Sequence, residues 1–128
     1  MTTLSLRDSF NAHLGLPRSD ERFHIALGHA PDYALGAVDA DLLVAGHCHG
    51  GQVRLPLIGP PITLSQVPGE WTSGRTALSD GRSLVVSRGV GMERAGAPEL
   101  RFLCRPELVL IDVVPVVALE RAGVGVGR

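Results

Sequence analysis

The chain has 128 residues, of which 45% are hydrophobic, and a formal net charge of -1. This length suits one domain, and the charge lacks the basic excess of a nucleic-acid-binding surface. No stretch reaches the roughly 18 consecutive apolar residues that a membrane-spanning helix needs. All 12 basic residues are Arg, which fits a GC-rich coding sequence as well as local Arg clusters that recognise phosphate.

The cysteine content and the N-terminus indicate a cellular compartment. The two cysteines allow at most one disulfide, so no disulfide framework holds the fold. The first eight residues contain no apolar core of the kind found in signal peptides. We therefore expect a cytoplasmic protein with reduced cysteines.

The first third of the chain predicts an α/β unit. Apolar residues near helical spacing predict a short helix over residues 4–16. Residues 23–28 and 41–45 are apolar runs that predict two buried strands. Between them Pro31 suits the first turn of a helix, which we predict over residues 31–38. Two strands joined by a helix are typical of an α/β fold.

The rest of the chain alternates between strand-like runs and loops. Residues 52–56 alternate polar and apolar side chains, as a half-exposed strand does. Residues 62–80 are predicted to be mostly loop, and residues 115–128 a frayed tail. Three further predicted strands are residues 83–87, 99–103 and 107–114.

Two Gly-His elements follow the two predicted N-terminal strands. The motif GHCHGGQ spans residues 46–52, and a Gly-His pair ends at His29. In an extended backbone, residues i and i+2 project to the same side, so His47 and His49 can face one centre. Because clustered imidazoles are usual metal ligands, we predict that His29, His47 and His49 bind metal.

Two neighbouring residues have other readings. His24 lies within a predicted strand, and we expect it to be structural rather than a ligand. Cys48 fits either a soft zinc ligand or a small side chain that fills the space behind the loop.

These motifs resemble the calcineurin-like metallophosphoesterases, in the bacterial branch whose loop reads Gly-His-Thr-His-Gly-Gly-Gln. The similarity covers about residues 22–112. Its elements, in order, are residues 28–32 (GHAPD), 41–56 (DLLVAGHCHGGQVRLP), 87–91 (SRGVG) and 105–107 (RPE). Cys48 stands where the family commonly has Thr, at a position that is not a ligand.

The resemblance implies an α/β fold: the C-terminal half of a calcineurin-like αββα sandwich, strand-rich and incomplete alone, with residues 1–128 as one partial domain. It implies metal-dependent hydrolysis of phosphate esters by two divalent ions (Mn, Fe, Zn or Mg). By the family pattern, His29 and His47 bind one ion and His49 the other. Two cations about 3.5–4 Å apart polarise phosphoryl oxygens and generate a hydroxide for in-line attack.

Arg54 or Arg88 could contact the phosphate through a planar guanidinium group, although most arginines are solvated surface residues. The resemblance identifies no acid-base catalytic residue within this chain. The family's Asp-x-His, Gly-Asp and Gly-Asn-His elements do not occur in the sequence. Three neutral imidazoles do not offset two divalent charges, and hard ions prefer oxygen ligands.

We therefore expect a C-terminal segment of a phosphodiesterase or phosphatase that is inactive alone. Its N-terminal half was either lost by truncation or a frameshift, or lies on a separate chain. In that case its apolar runs would expose faces meant for a partner layer. Two alternatives stay open: a mononuclear zinc site of three histidines, and a non-catalytic remnant or interaction module that pairs through strand edges. The apolar loop 55–61 fits either a membrane contact or a structural loop cap.

Overall fold

The structure, a computed structural model, describes residues 22–92, 94 and 99–115. Within these residues lie four strands: β1 (Ile25–Leu27), β2 (Leu42–Ala45), β3 (Gly74–Ala77) and β4 (Ser83–Val86). Three short 3-10 helices span Pro31–Leu35, His49–Gly51 and Gly69–Thr72. The predicted helix over residues 4–16 lies outside the described residues, as does the predicted tail apart from Pro115.

The strands form one mixed sheet in the order β1-β2-β4-β3. Strands β1, β2 and β4 are parallel, and β3 runs antiparallel to β4. Because neighbouring parallel strands end at the same edge of a sheet, the residues that follow β1, β2 and β4 meet at one edge. The α/β class is therefore confirmed, and this edge positions the site described below.

One face of the sheet carries the hydrophobic core. Leu43, Leu84 and Val86 are fully buried there, against Tyr33 and Ala34 of the first 3-10 helix. The register explains the grouping, since Leu43 lies opposite Leu84 and the two side chains share a face. Fully burying a Leu or Val side chain contributes about 1.5–3 kcal/mol, so this cluster dominates the stability of the described region.

Tyr33 ties the first 3-10 helix to the sheet. Its hydroxyl lies 3.0 Å from the carbonyl oxygens of Ala26 and Val44, to which it donates, and burial raises the pKa of Tyr33 to about 12. A Cβ at position 28 would collide with the Tyr33 ring, so glycine is required where β1 ends. Tyr33 thus connects β1 and β2 near their carboxyl ends.

The predicted helix over residues 31–38 is wrong in length and type. The observed 3-10 helix ends at Leu35 because Gly36 adopts an extended conformation and its N–H donates to the Tyr33 carbonyl. Val38 lies beyond the helix and is buried in the core.

The opposite face of the sheet is uncovered at β1, so the prediction of a buried first strand is wrong. Ile25 is 48% exposed and Leu27 is 76% exposed. β1 is an edge strand of the sheet, so its side chains have a neighbouring strand on one side only. β2 is largely buried, as predicted.

The predicted strand over residues 52–56 is also wrong. Gln52 has a positive φ of 56°, and only isolated bridges form, from Val53 to Phe102 and from Leu55 to Gly59. In the segment predicted to be mostly loop, β3 pairs with β4. Its sequence, GRTA, has too little apolar alternation to indicate a strand.

Of the three later predicted strands, only the first is confirmed, as β4. Residues 99–103 contribute the single bridge at Phe102, and residues 107–114 form no strand. Apolar alternation produces a strand only where a sheet edge is available for pairing. In the described part of the chain residues 107–114 pair with no strand, and Leu108 and Leu110 lie exposed. No described helix has the length and apolar character needed to cross a membrane.

The division between the two sheet faces predicts how substitutions affect stability. We expect Leu84→Ala to lower the free energy of unfolding by about 2–5 kcal/mol, because it leaves a cavity in the core. The matched change Leu27→Ala, on the uncovered face, should change it by less than about 0.5 kcal/mol. Urea unfolding followed by circular dichroism measures both. Equal losses would contradict the assignment of the core to one face.

Candidate metal centre

Two histidines meet at the carboxyl edge of the sheet. His29 follows β1, and His47 follows β2. The Nε2 atom of His29 lies 3.0 Å from the Nδ1 atom of His47, and the ring centroids are 4.8 Å apart. Backbone pairing brings the loops together, since the Gly46 N–H donates to the His29 carbonyl at 3.0 Å. The two Gly-His elements therefore meet at neighbouring strand ends.

The motif loop, residues 46–52, is not extended. His47, His49 and Gln52 have positive φ angles of 66°, 47° and 56°, and Cys48 between the histidines is helical. Such conformations cost non-glycine residues on the order of 1–3 kcal/mol each, and they cluster at functional sites. The premise that His47 and His49 project to one side of an extended chain is therefore wrong.

His49 faces a different part of the molecule from His47. Its ring lies beside the turn that follows β4, where a Cβ built at Gly89 or Gly91 would be 3.8 Å from it. The Nη2 atom of Arg101 lies 3.4 Å from its Nδ1 atom. The structure thus joins His29 with His47 and places His49 in separate surroundings.

Arg101 is a residue that sequence reasoning missed. Its guanidinium group donates to the backbone carbonyls of Arg88 at 2.8 Å, Gly89 at 3.1 Å and Cys104 at 3.3 Å, and also to that of Gly91. These bonds hold the turn around His49. No spacing in the sequence signals the role, because the partners are carbonyl groups that every residue carries.

The two arginines predicted to contact phosphate both support the motif loop. Arg54 donates to the Gly50 carbonyl at 3.2 Å and to the Ser73 hydroxyl at 3.3 Å. Arg88 forms an ion pair with Glu107 at 3.1 Å, while its buried Nε atom has no hydrogen-bond partner among the described residues. A Cβ at Gly50 would lie 2.7 Å from the Arg88 side chain, so the packing there requires glycine.

Cys48 is a buried residue of the motif loop. It is 4% exposed, and burial raises the pKa of its thiol to about 11. Cys104 is also buried and lies 3.2 Å from the His49 carbonyl, to which its thiol donates. Both cysteines are free.

Asp32 is a second residue whose role the sequence did not reveal. Its carboxylate accepts hydrogen bonds from the Ser65 hydroxyl at 2.7 Å and the Gln66 N–H at 2.8 Å. The neighbouring Leu64 carbonyl lies 3.3 Å from the Nε2 atom of His47. Asp32 therefore fixes the segment that packs against His47 and is not placed as a bridging carboxylate.

The histidine pair fits part of a metal site. Two imidazole nitrogens that each bind one ion at about 2.0–2.1 Å can lie about 3 Å apart. Among residues 22–92, 94 and 99–115, no group of three or more His, Cys, Asp or Glu side chains could hold a metal ion. These residues therefore show a histidine pair and no complete ligand set.

Two curated proteins resemble the chain. It is 40% identical over 101 residues to the uncharacterized metallophosphoesterase YkuE of Bacillus subtilis, a match that covers 74% of this chain and 32% of that protein. It is 35% identical over 92 residues to the phosphodiesterase YaeI of Escherichia coli, covering 70% of this chain and 32% of that protein. No protein-family model and no solved structure matches it.

The chain belongs to the calcineurin-like metallophosphoesterase family, whose members are metal-dependent hydrolases. The chain spans about one third of the length of the curated relatives it matches.

The Arg88–Glu107 pair predicts a pH dependence of stability. Arg88 donates two hydrogen bonds to Glu107 and holds the pKa of this carboxyl group below 4.5. A depressed folded-state pKa stabilises the fold above the unfolded pKa, and this contribution is lost as the pH falls through the folded pKa. Between about pH 5 and about pH 3, the free energy of unfolding should fall more steeply in the unchanged chain than in Glu107→Gln.

Denaturant unfolding at several pH values tests this. Glu99→Gln, which removes the same charge from an exposed side chain, is the control and should retain the steeper fall. Parallel curves for the unchanged chain and Glu107→Gln would contradict the role of this ion pair.

Proposed function

We propose that this chain supplies three histidine ligands, His29, His47 and His49, to the two-metal centre of a phosphodiesterase or phosphatase. The observation that carries the proposal is the 3.0 Å approach of His29 Nε2 to His47 Nδ1 at the carboxyl edge of parallel strands. The two rings share a hydrogen bond here, and two ring nitrogens this close on adjacent loops can both turn toward one cation.

The proposal assigns His29 and His47 to one ion and His49 to the other. The separate surroundings of His49, beside Arg101 and the turn after β4, support this division. They also count against a mononuclear site made by all three histidines, because such a site needs three convergent rings.

Divalent ions such as Mn, Fe, Zn or Mg would polarise the phosphoryl oxygens and lower the pKa of bound water. In this chain the strained motif loop would orient the imidazole rings. The buried Cys48 side chain would keep water out of the protein interior beside that loop. Neutral imidazoles do not balance the charge of two such ions, so carboxylates from outside the described residues must complete the centre.

We further propose that a separate N-terminal half of the enzyme supplies those carboxylates. The chain spans one third of the length of its relatives, and β1 leaves Ile25 and Leu27 exposed beside Phe23. A flat apolar sheet face of this kind suits a packed second layer. The chain alone would then be inactive because both the bridging group and the acid are missing.

Arg54 and Arg88 stay candidates for phosphate contact. Each guanidinium already donates to protein groups, so either would have to share its donors with a substrate. For location, we propose the cytoplasm, and the two free, buried cysteines support a reducing compartment.

A chimera tests the proposal. The segment of the E. coli phosphodiesterase that matches this chain is replaced by the chain, and hydrolysis of bis-p-nitrophenyl phosphate is measured with Mn²⁺. The chimera should be active and the chain alone inactive. His47→Asn should lower kcat/KM by more than the roughly 10–100-fold that loss of an outer-shell partner costs.

His24→Gln is the matched control. It removes an imidazole from the residue directly before β1, outside the histidine site, and it should leave the chimera active. Vigorous hydrolysis by the chain alone would contradict the proposal, as would equal activity of the His47→Asn and His24→Gln chimeras.

A further inference from the structure

An unusually long segment that follows the motif loop contains no charged residue. From Leu55 to Gly69 the sequence reads LPLIGPPITLSQVPG, fifteen residues without Asp, Glu, Lys or Arg. Charged residues make up 20% of the whole chain. A stretch of this length without them can enter a low-dielectric medium without desolvating an ion.

Residues 55–59 form a closed turn, called the apolar turn below. The N–H of Leu55 donates to the Gly59 carbonyl and the N–H of Gly59 donates to the Leu55 carbonyl, both at 2.9 Å. Leu57 at its tip has a positive φ of 66°. The tip side chains project away from the protein: Leu57 is fully exposed and Ile58 is 74% exposed.

The backbone of this segment is also suited to an apolar surrounding. Three of the seven residues from 55 to 61 are proline and have no N–H to satisfy. The Leu55 and Gly59 amides are satisfied by each other. Fewer backbone donors therefore need a partner on insertion than in a segment of the same length without proline.

The apolar turn adjoins the motif loop, since a Cβ built at Gly51 would collide with Pro60, the residue next to the turn. Further along the same segment, Asp32 binds Ser65 and Gln66, and the Leu64 carbonyl lies 3.3 Å from His47. Ile62 and Leu64 on this segment are themselves partly exposed. The segment that carries the apolar turn therefore contacts both the motif loop and His47.

We propose that the apolar turn inserts into the surface of a lipid bilayer and holds the histidine pair at the membrane interface. The shape selects lipid over protein: a narrow tip with two large apolar side chains needs no complementary pocket in fluid hydrocarbon. The other exposed apolar regions differ, since the β1 face is flat and residues 107–114 include Glu107 and Asp112. This docking needs no hydrolysis, so its failure and the failure of the proposed function are distinguishable.

The test is cosedimentation of the full chain with neutral phosphatidylcholine vesicles. Because the apolar turn has no charge, binding should be the same at low and high salt. The double substitution Leu57→Asn with Ile58→Asn should weaken binding by about tenfold or more. The matched double substitution Leu108→Asn with Leu110→Asn removes equally exposed apolar side chains and should leave binding unchanged.

A second readout does not depend on how the double variant folds. Ile58→Trp places an indole at the tip, and brominated phosphatidylcholine should quench its emission. Trp71, the only tryptophan of the unchanged chain, packs against the core and should not be quenched.

Four results would overturn the proposal: no binding to neutral vesicles, binding that high salt abolishes, equal loss in both double variants, or no quenching in Ile58→Trp. A dimer that the Leu57 and Ile58 substitutions dissolve, without vesicle binding, would assign the apolar turn to a protein interface instead.

Discussion

Parallel pairing between β1 and β2 is the constraint on which the site depends. Leu27 lies opposite Val44, and the Gly28 N–H extends the pairing to the Val44 carbonyl at 2.9 Å. β1 and β2 therefore end near each other at the same edge of the sheet, and each strand is followed by a glycine and a histidine. Tyr33 fixes this geometry from the core side, because its hydroxyl binds carbonyls of both strands. The 3.0 Å histidine contact follows from backbone register and needs no carboxylate or metal to form.

The motif loop depends on support from distant parts of the chain. Two histidines and Gln52 have left-handed backbone conformations, which are unfavourable unless their surroundings impose them. Arg101 and Cys104, 52 and 55 residues beyond His49, bind that histidine or its carbonyl. The strain therefore fixes two distinct directions for the rings, one toward His29 and one toward the turn after β4. These two directions are the basis of our proposal that the loop presents ligands to two centres rather than one.

Sequence patterns predicted the parts of this structure that depend on local chemistry. Apolar runs located β2 and β4, and glycines marked where histidines follow strand ends. The patterns failed where long-range context decides. Residues 107–114 alternate like a strand but have no described edge to pair with, and β1 lies uncovered although its residues are apolar. The extended conformation assumed for His47 and His49 was wrong because contacts from Arg54, Arg101 and Cys104 impose another.

The division of the histidines between two centres is the central claim, and NMR of the imidazole nitrogens during a zinc titration of the full chain tests it most directly. The account predicts that His29 Nε2 and His47 Nδ1 change together, at a lower zinc concentration than any change at His49. Simultaneous changes at all three rings, with one stoichiometric zinc ion, would establish a single three-histidine site and contradict the account. Independent changes at His29 and His47 would contradict it as well.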